Sequence, residues 1–136
     1  MDMNPTSAQL EALRRMPQDQ PVVMLNLVKL RAQSADGDGT GWDAYLRYSR
    51  GFAPLLKACG GTILWAGDAK GVALGDDRAD AWDYAVLVRY PRPLDFVATM
   101  TSPGYAAINR HRHNALEKHL IVPVAETYSK FAAQRG

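Results

Sequence analysis

Apolar positions along this chain form two matching series. The first opens with the run Val22-Val23-Met24-Leu25-Asn26-Leu27-Val28-Lys29-Leu30. An amphipathic stretch over residues 42–59 follows, and after Gly60-Gly61 comes a second run, Thr62-Ile63-Leu64-Trp65-Ala66. The second series opens with residues 82–90, keeps helical spacing over 93–118, and closes with Leu120-Ile121-Val122-Pro123-Val124-Ala125. Strand–helix–strand given twice predicts an α+β domain, a ferredoxin-like split βαβ sandwich with an antiparallel sheet. In that arrangement the strand order is 4-1-3-2 and both main helices lie on one face. Pro123 then falls on an edge strand, where a missing backbone donor is tolerated.

Local signals set the boundaries. Thr6 with Gln9 has the form of a capping box, and Leu10, Leu13 and Met16 recur at helical spacing, so a short helix is expected over about 5–16. The core is expected over about 21–130, within one domain spanning 1–136. The turn-forming residues between Ala32 and Gly41 read as a loose loop. The helix after it carries Trp42, Tyr45, Ser49, Phe52, Leu56 and Cys59 on one stripe, with a kink expected near Gly51 because of Pro54. The connection over residues 67–81 has room for a short hairpin around Val72-Ala73-Leu74. Ser102-Pro103 divides the second helical region into residues 94–100 and 104–118. The first strand is apolar at both parities, so both its faces need cover. Helices can supply one cover, and a second copy of the chain is the simplest source of the other. Trp82, Tyr84 and Tyr90 read as an aromatic row that such a dimer would bury.

Composition removes several classes of function. A chain of 136 residues, 47% hydrophobic and 22% charged, has the profile of one globular domain. Its +2 formal charge offers no broad footprint for nucleic acid or for an anionic membrane. No apolar run is long enough to span a bilayer, and no signal peptide is visible. The single cysteine, Cys59, excludes an internal disulfide framework, and a cytoplasmic setting is the expectation.

Candidate chemistry centres on Arg112. Tyr105, Ile108, Arg112, Leu116 and His119 fall on one helical face, which puts a guanidinium in the middle of a stripe that should be buried. A buried cation needs a carboxylate, a carbonyl cluster or an anionic ligand. Two readings follow. Arg112 is either a structural residue, paired internally with a group such as Asp83 or with its head in solvent, or a pocket arginine that holds a carboxylate or enolate oxygen. Asn26 is a polar residue within a central apolar strand, and a buried amide must be satisfied, by a neighbouring loop or by a ligand. Tyr45 and Ser49 face the same interior and could add hydroxyls to a cavity. Arg110-His111-Arg112-His113 is not a metal motif, because residues two apart on a helix do not face one ion. His113 and Arg110 read as a solvated basic face. No metal ligand set, phosphate loop or nucleophile elbow is present, and no cofactor is expected.

Several of these features together resemble domain-of-unknown-function family 1330. They are Pro21-Val22-Val23-Met24-Leu25-Asn26-Leu27, the Tyr-rich first helix, Gly60-Gly61, the Trp82-Asp83 strand, and Ser102-Pro103 with Tyr105 ahead of Arg110 and Arg112. The resemblance runs from about residue 9 to residue 128. It implies a dimeric α/β barrel, in which a ferredoxin-like protomer packs its sheet on that of its partner, and it implies no activity.

Two functions remain open. The first is a small-molecule-binding protein, extending to a cofactor-independent enzyme, with a small carboxylate- or enolate-bearing substrate between sheet and helices. Its ligand-binding residues are expected to be Arg112, Asn26, Tyr45, Ser49 and Tyr105, with a nearby histidine to shuttle protons. The alternative is a non-catalytic dimeric binding or structural module whose interior polar residues satisfy one another.

Overall fold

The computed structural model describes residues 3–76 and 82–131. Its elements in chain order are α1 (Ser7–Arg14), β1 (Val22–Leu30), α2 (Gly41–Ala58), β2 (Thr62–Asp68), β3 (Tyr84–Tyr90), α3 (Pro93–Met100), α4 (Pro103–Ala115) and β4 (Leu116–Val124). The four strands form one antiparallel sheet in the order β2-β3-β1-β4. This is the split βαβ topology, and Pro123, opposite Met24, lies on the edge strand β4.

Strand parity decides what each face does. Met24 and Val28 of β1, with Val86, Val88 and Tyr90 of β3, point toward the helices and are buried there. Leu13, Leu56, Phe96 and Val97 cover one end of that layer, while Ala44, Tyr45, Tyr48, Tyr105 and Ala115 cover the other. Of the expected aromatic row, Tyr84 and Tyr90 belong to this same face, whereas Trp82 precedes β3 and its ring lies under Lys118 Nζ at 4.2 Å. Tyr84 meets the rings of Trp42 and Tyr45 at 5.2 and 5.9 Å, and Tyr90 meets Phe96 at 5.4 Å. These rings therefore close the helix–sheet core and are not available to a partner. The opposite face carries Leu25, Leu27, Leu87, Leu120, Val122 and Val124, apolar residues of which the last three are exposed.

Several boundaries differ from the sequence expectation. The last helix stops at Ala115, and Leu116 and His119 belong to β4, where they pair with Leu30 and Val28. Helical periodicity continues past the true end, but the nine-residue β1 needs a ladder partner along its whole length, and residues 116–119 supply it. β2 likewise extends through Gly67 and Asp68, which pair with Ala85 and Tyr84. Val72-Ala73-Leu74, where a short hairpin is expected, carry no strand, and residues 77–81 of that connection lie outside the described residues. The 32–41 segment is a structured loop. Ser34 is buried, its hydroxyl donates to Asp36 Oδ1 at 2.6 Å, and Gln33 bridges Thr40. α2 continues through Pro54 to Ala58, and Gly51 serves a close approach, since a Cβ there would lie 2.6 Å from the Ile108 side chain.

Among the described glycines, Gly41 has the closest backbone approach. A Cβ on it would overlap the Arg31 carbonyl oxygen and stand 2.9 Å from that of Ala115. Both obstacles are backbone and are tied together, because Arg31 N donates to Ala115 O at 2.8 Å. Gly41→Ala is expected to destabilise the chain by about 3 kcal/mol, a fall of roughly 10 °C in the midpoint of a thermal melt.

Candidate functional site

α4 starts where Ser102 accepts a hydrogen bond from Tyr105 N at 3.1 Å and Pro103 takes the first helical position. From that start, helical spacing turns Arg112 inward until only 2% of it is exposed. Asp83 is not its counter-ion. That carboxylate accepts from Leu30 N at 2.7 Å and finishes the end of β1. Arg112 is instead held by neutral acceptors. Its Nε donates to Asn109 Oδ1 at 2.9 Å, and its Nη1 to His119 Nδ1 at 2.9 Å. Its Nη2 donates to the Met3 carbonyl at 2.9 Å and to Asn4 Oδ1 at 3.1 Å. A guanidinium has five N–H groups, so one on Nη1 has no acceptor among the described residues.

His119 connects this arginine to the central strand. A guanidinium cannot accept, so Nδ1 of His119 is the acceptor and Nε2 carries the proton, which it donates to Asn26 Oδ1 at 2.9 Å. Asn26 Nδ2 in turn donates to the Met24 carbonyl at 3.1 Å, so the half-buried amide is satisfied through both of its ends. Burial, and then the charge of Arg112, lower the His119 pKa to about 3, so its imidazole is neutral at ordinary pH.

Two cavities adjoin along this network. The larger, about 330 Å³, lies between the N-terminal segment, α1, α3 and β4, and is lined by Arg112, His119 and Asn4 among apolar residues. The smaller, about 60 Å³, is lined by Asn26, Tyr45 and Ser49. His119, Met24, Phe96, Met100 and Ile121 line both. Arg112 and the Asn26–Tyr45–Ser49 group therefore occupy neighbouring spaces joined through His119. Tyr105 lines neither. Its hydroxyl lies 2.9 Å from that of Tyr48, and the two rings pack edge to face in the core. Burial and the neighbouring Tyr105 hold the Tyr48 hydroxyl protonated, and burial does the same for Tyr45.

Sequence reasoning missed four contributors. His119 was placed on a helix, whereas strand geometry aims it at Asn26. Tyr48, one position off the expected stripe, is buried beside Tyr105. Met3 and Asn4 carry no pattern at all, and only the return of the N-terminal segment over α4 brings them to Arg112. His113 belongs to this surround and not to a bare basic face, with Nε2 3.2 Å from Asn4 Oδ1. Among the described residues no three His, Cys, Asp or Glu side chains gather into a metal site, and no helix is long and apolar enough to cross a membrane.

Comparison with known proteins agrees with this architecture. The family model described as Domain of unknown function (DUF1330) matches residues 36–125. A solved protein of unknown function from Rhodopseudomonas palustris is 29% identical, with 93% of this chain and 98% of that one aligned at a TM-score of 0.84. A hydroxynitrile lyase from Passiflora edulis is 16% identical over 82% of this chain and 97% of its own, at a TM-score of 0.56. A dimeric ferredoxin-like protein of unknown function from Thermobifida fusca is 16% identical over 82% and 96%, at 0.53. The last two likenesses are of fold alone. No curated protein matches the chain.

Proposed function

The chain belongs to the family described as Domain of unknown function (DUF1330), and from that premise we propose that it binds a small carboxylate- or enolate-bearing molecule between sheet and helices. The reading rests on Arg112. A cation that is 2% exposed and, among the described residues, held by neutral acceptors alone with one N–H to spare beside a 330 Å³ cavity is an anion site awaiting its charge. His119 favours binding over catalysis. Its basic nitrogen is occupied by Arg112 and its pKa is about 3, too low for efficient proton abstraction near neutrality. Asn26 fixes the His119 tautomer and Tyr45 and Ser49 line the adjoining space, so these residues position the site. Tyr105 supports α2 against α4 from the core.

Two further parts of the reading concern setting. The apolar open sheet face and the dimeric ferredoxin-like protein similar to this chain support a homodimer joined through those faces. A lone, half-buried Cys59 fits a reducing, cytoplasmic compartment.

The test is a thermal melt of the wild-type chain and of Arg112→Met, each with a panel of small carboxylates at millimolar concentration. At least one carboxylate should raise the wild-type midpoint, and none should raise that of the variant. The structural-module alternative is favoured by the same four neutral acceptors, which could exist only to satisfy Arg112. It is decided for if no anion shifts the wild type while Arg112→Met, with its acceptors orphaned, loses about 3 kcal/mol or more of stability.

A further inference from the structure

We infer that the cavity beside Arg112 is shaped for an apolar monocarboxylate, a single carboxylate on a compact hydrocarbon or aromatic body. This rests on the anion-binding reading above and specifies it. Among the described residues Arg112 is the only charged side chain lining the cavity, with no aspartate, glutamate or lysine beside it. One guanidinium balances one negative charge. A dicarboxylate or a phosphate dianion would leave a second charge uncompensated in apolar surroundings, and an ammonium group would meet no carboxylate.

Beyond Arg112 the polar lining among the described residues is Asn4, Gln9 and His119. Four methionines, Met3, Met16, Met24 and Met100, and the ring of Phe96 form much of the remainder. Thioethers adapt to irregular apolar shapes and contact aromatic rings favourably, so they suit a hydrocarbon body and offer nothing to a sugar or a polyol. At the ~30 Å³ that a water molecule takes in the liquid, 330 Å³ holds on the order of ten non-hydrogen atoms. The carboxylate would take the spare Nη1 hydrogen and replace the Asn4 side-chain oxygen on Nη2, which exchanges a neutral acceptor for a charged, two-pronged one.

Ala12 gives a clean probe, because it sits on the exposed surface of α1 yet lines the cavity. Calorimetric titration would use phenylacetate, acetate, succinate and inorganic phosphate against the wild-type chain and Ala12→Trp. Phenylacetate should bind wild type at least about tenfold tighter than any of the other three, through its buried ring. Ala12→Trp should weaken phenylacetate by about tenfold or more while changing acetate by less than about threefold. Equal binding of acetate, succinate or phosphate, or an Ala12→Trp chain that holds phenylacetate as wild type does, overturns the monocarboxylate assignment and leaves the anion site standing. If none of the four binds the wild type, the assignment and the proposed function fail together.

Discussion

If the proposed homodimer joins through the open sheet faces, a Val122→Glu chain is expected to sediment as a monomer at concentrations where the unaltered chain sediments as a dimer. Val122 lies on the open sheet face opposite Leu25 and is 39% exposed in the protomer. The change therefore disturbs little inside one chain and acts on association. Two such faces packed together would bury it, and a carboxylate without a partner costs roughly 3 kcal/mol in each protomer. A two-fold interface repeats the penalty, about four decades in dissociation constant. Sedimentation velocity at micromolar concentration reads the result directly, with circular dichroism to show that the protomer is still folded. A dimer that survives the change would place its interface elsewhere.

The second large effect is a loss of stability in acid that follows His119. In the folded chain this imidazole stays neutral down to about pH 3, whereas its ordinary pKa is 6.5. Below pH 6.5 the unfolded chain therefore takes up a proton that the folded chain refuses. The stabilisation is fully present above that pH and is lost as pH falls, at up to ~1.4 kcal/mol per unit, until the folded state also protonates. Asp36 and Asp43, whose hydrogen bonds lower their pKa values, add losses of the same sign further into acid. Comparison with His119→Gln separates the contributions, since glutamine cannot titrate and can still both accept and donate. Urea unfolding at pH 7, 6, 5 and 4 should show the steeper decline in the wild type. Parallel curves for the two chains would mean that His119 protonates freely in the fold.

The fold could be read from the chain because its signals are local and periodic. Alternation at Met24, Val28, Val86 and Val88 specified the covered sheet face, the Thr6–Gln9 pair specified the start of α1, and Pro123 specified an edge. Arg112 was legible for the same reason: helical spacing alone turns it inward, and its low exposure follows from that. Errors arose where two periodicities overlap. Leu116 and His119 satisfy a helical face, but the length of β1 claims them for a strand. Tyr84 and Tyr90 look like interface aromatics until β3 parity sends them under the helices.

Sequence by itself thus determined the order of elements, the sheet topology, and the presence of one buried cation that must be satisfied. The identity of its partners was a tertiary decision. Met3, Asn4 and His119 stand 109, 108 and 7 positions from Arg112, and they meet it only because the N-terminal segment and β4 converge over α4. Residue spacing encodes which way a side chain points along its own element. What it meets there depends on how the elements pack, and that is why a charge foreseen in the sequence acquired its acceptors and its adjoining cavity only in three dimensions.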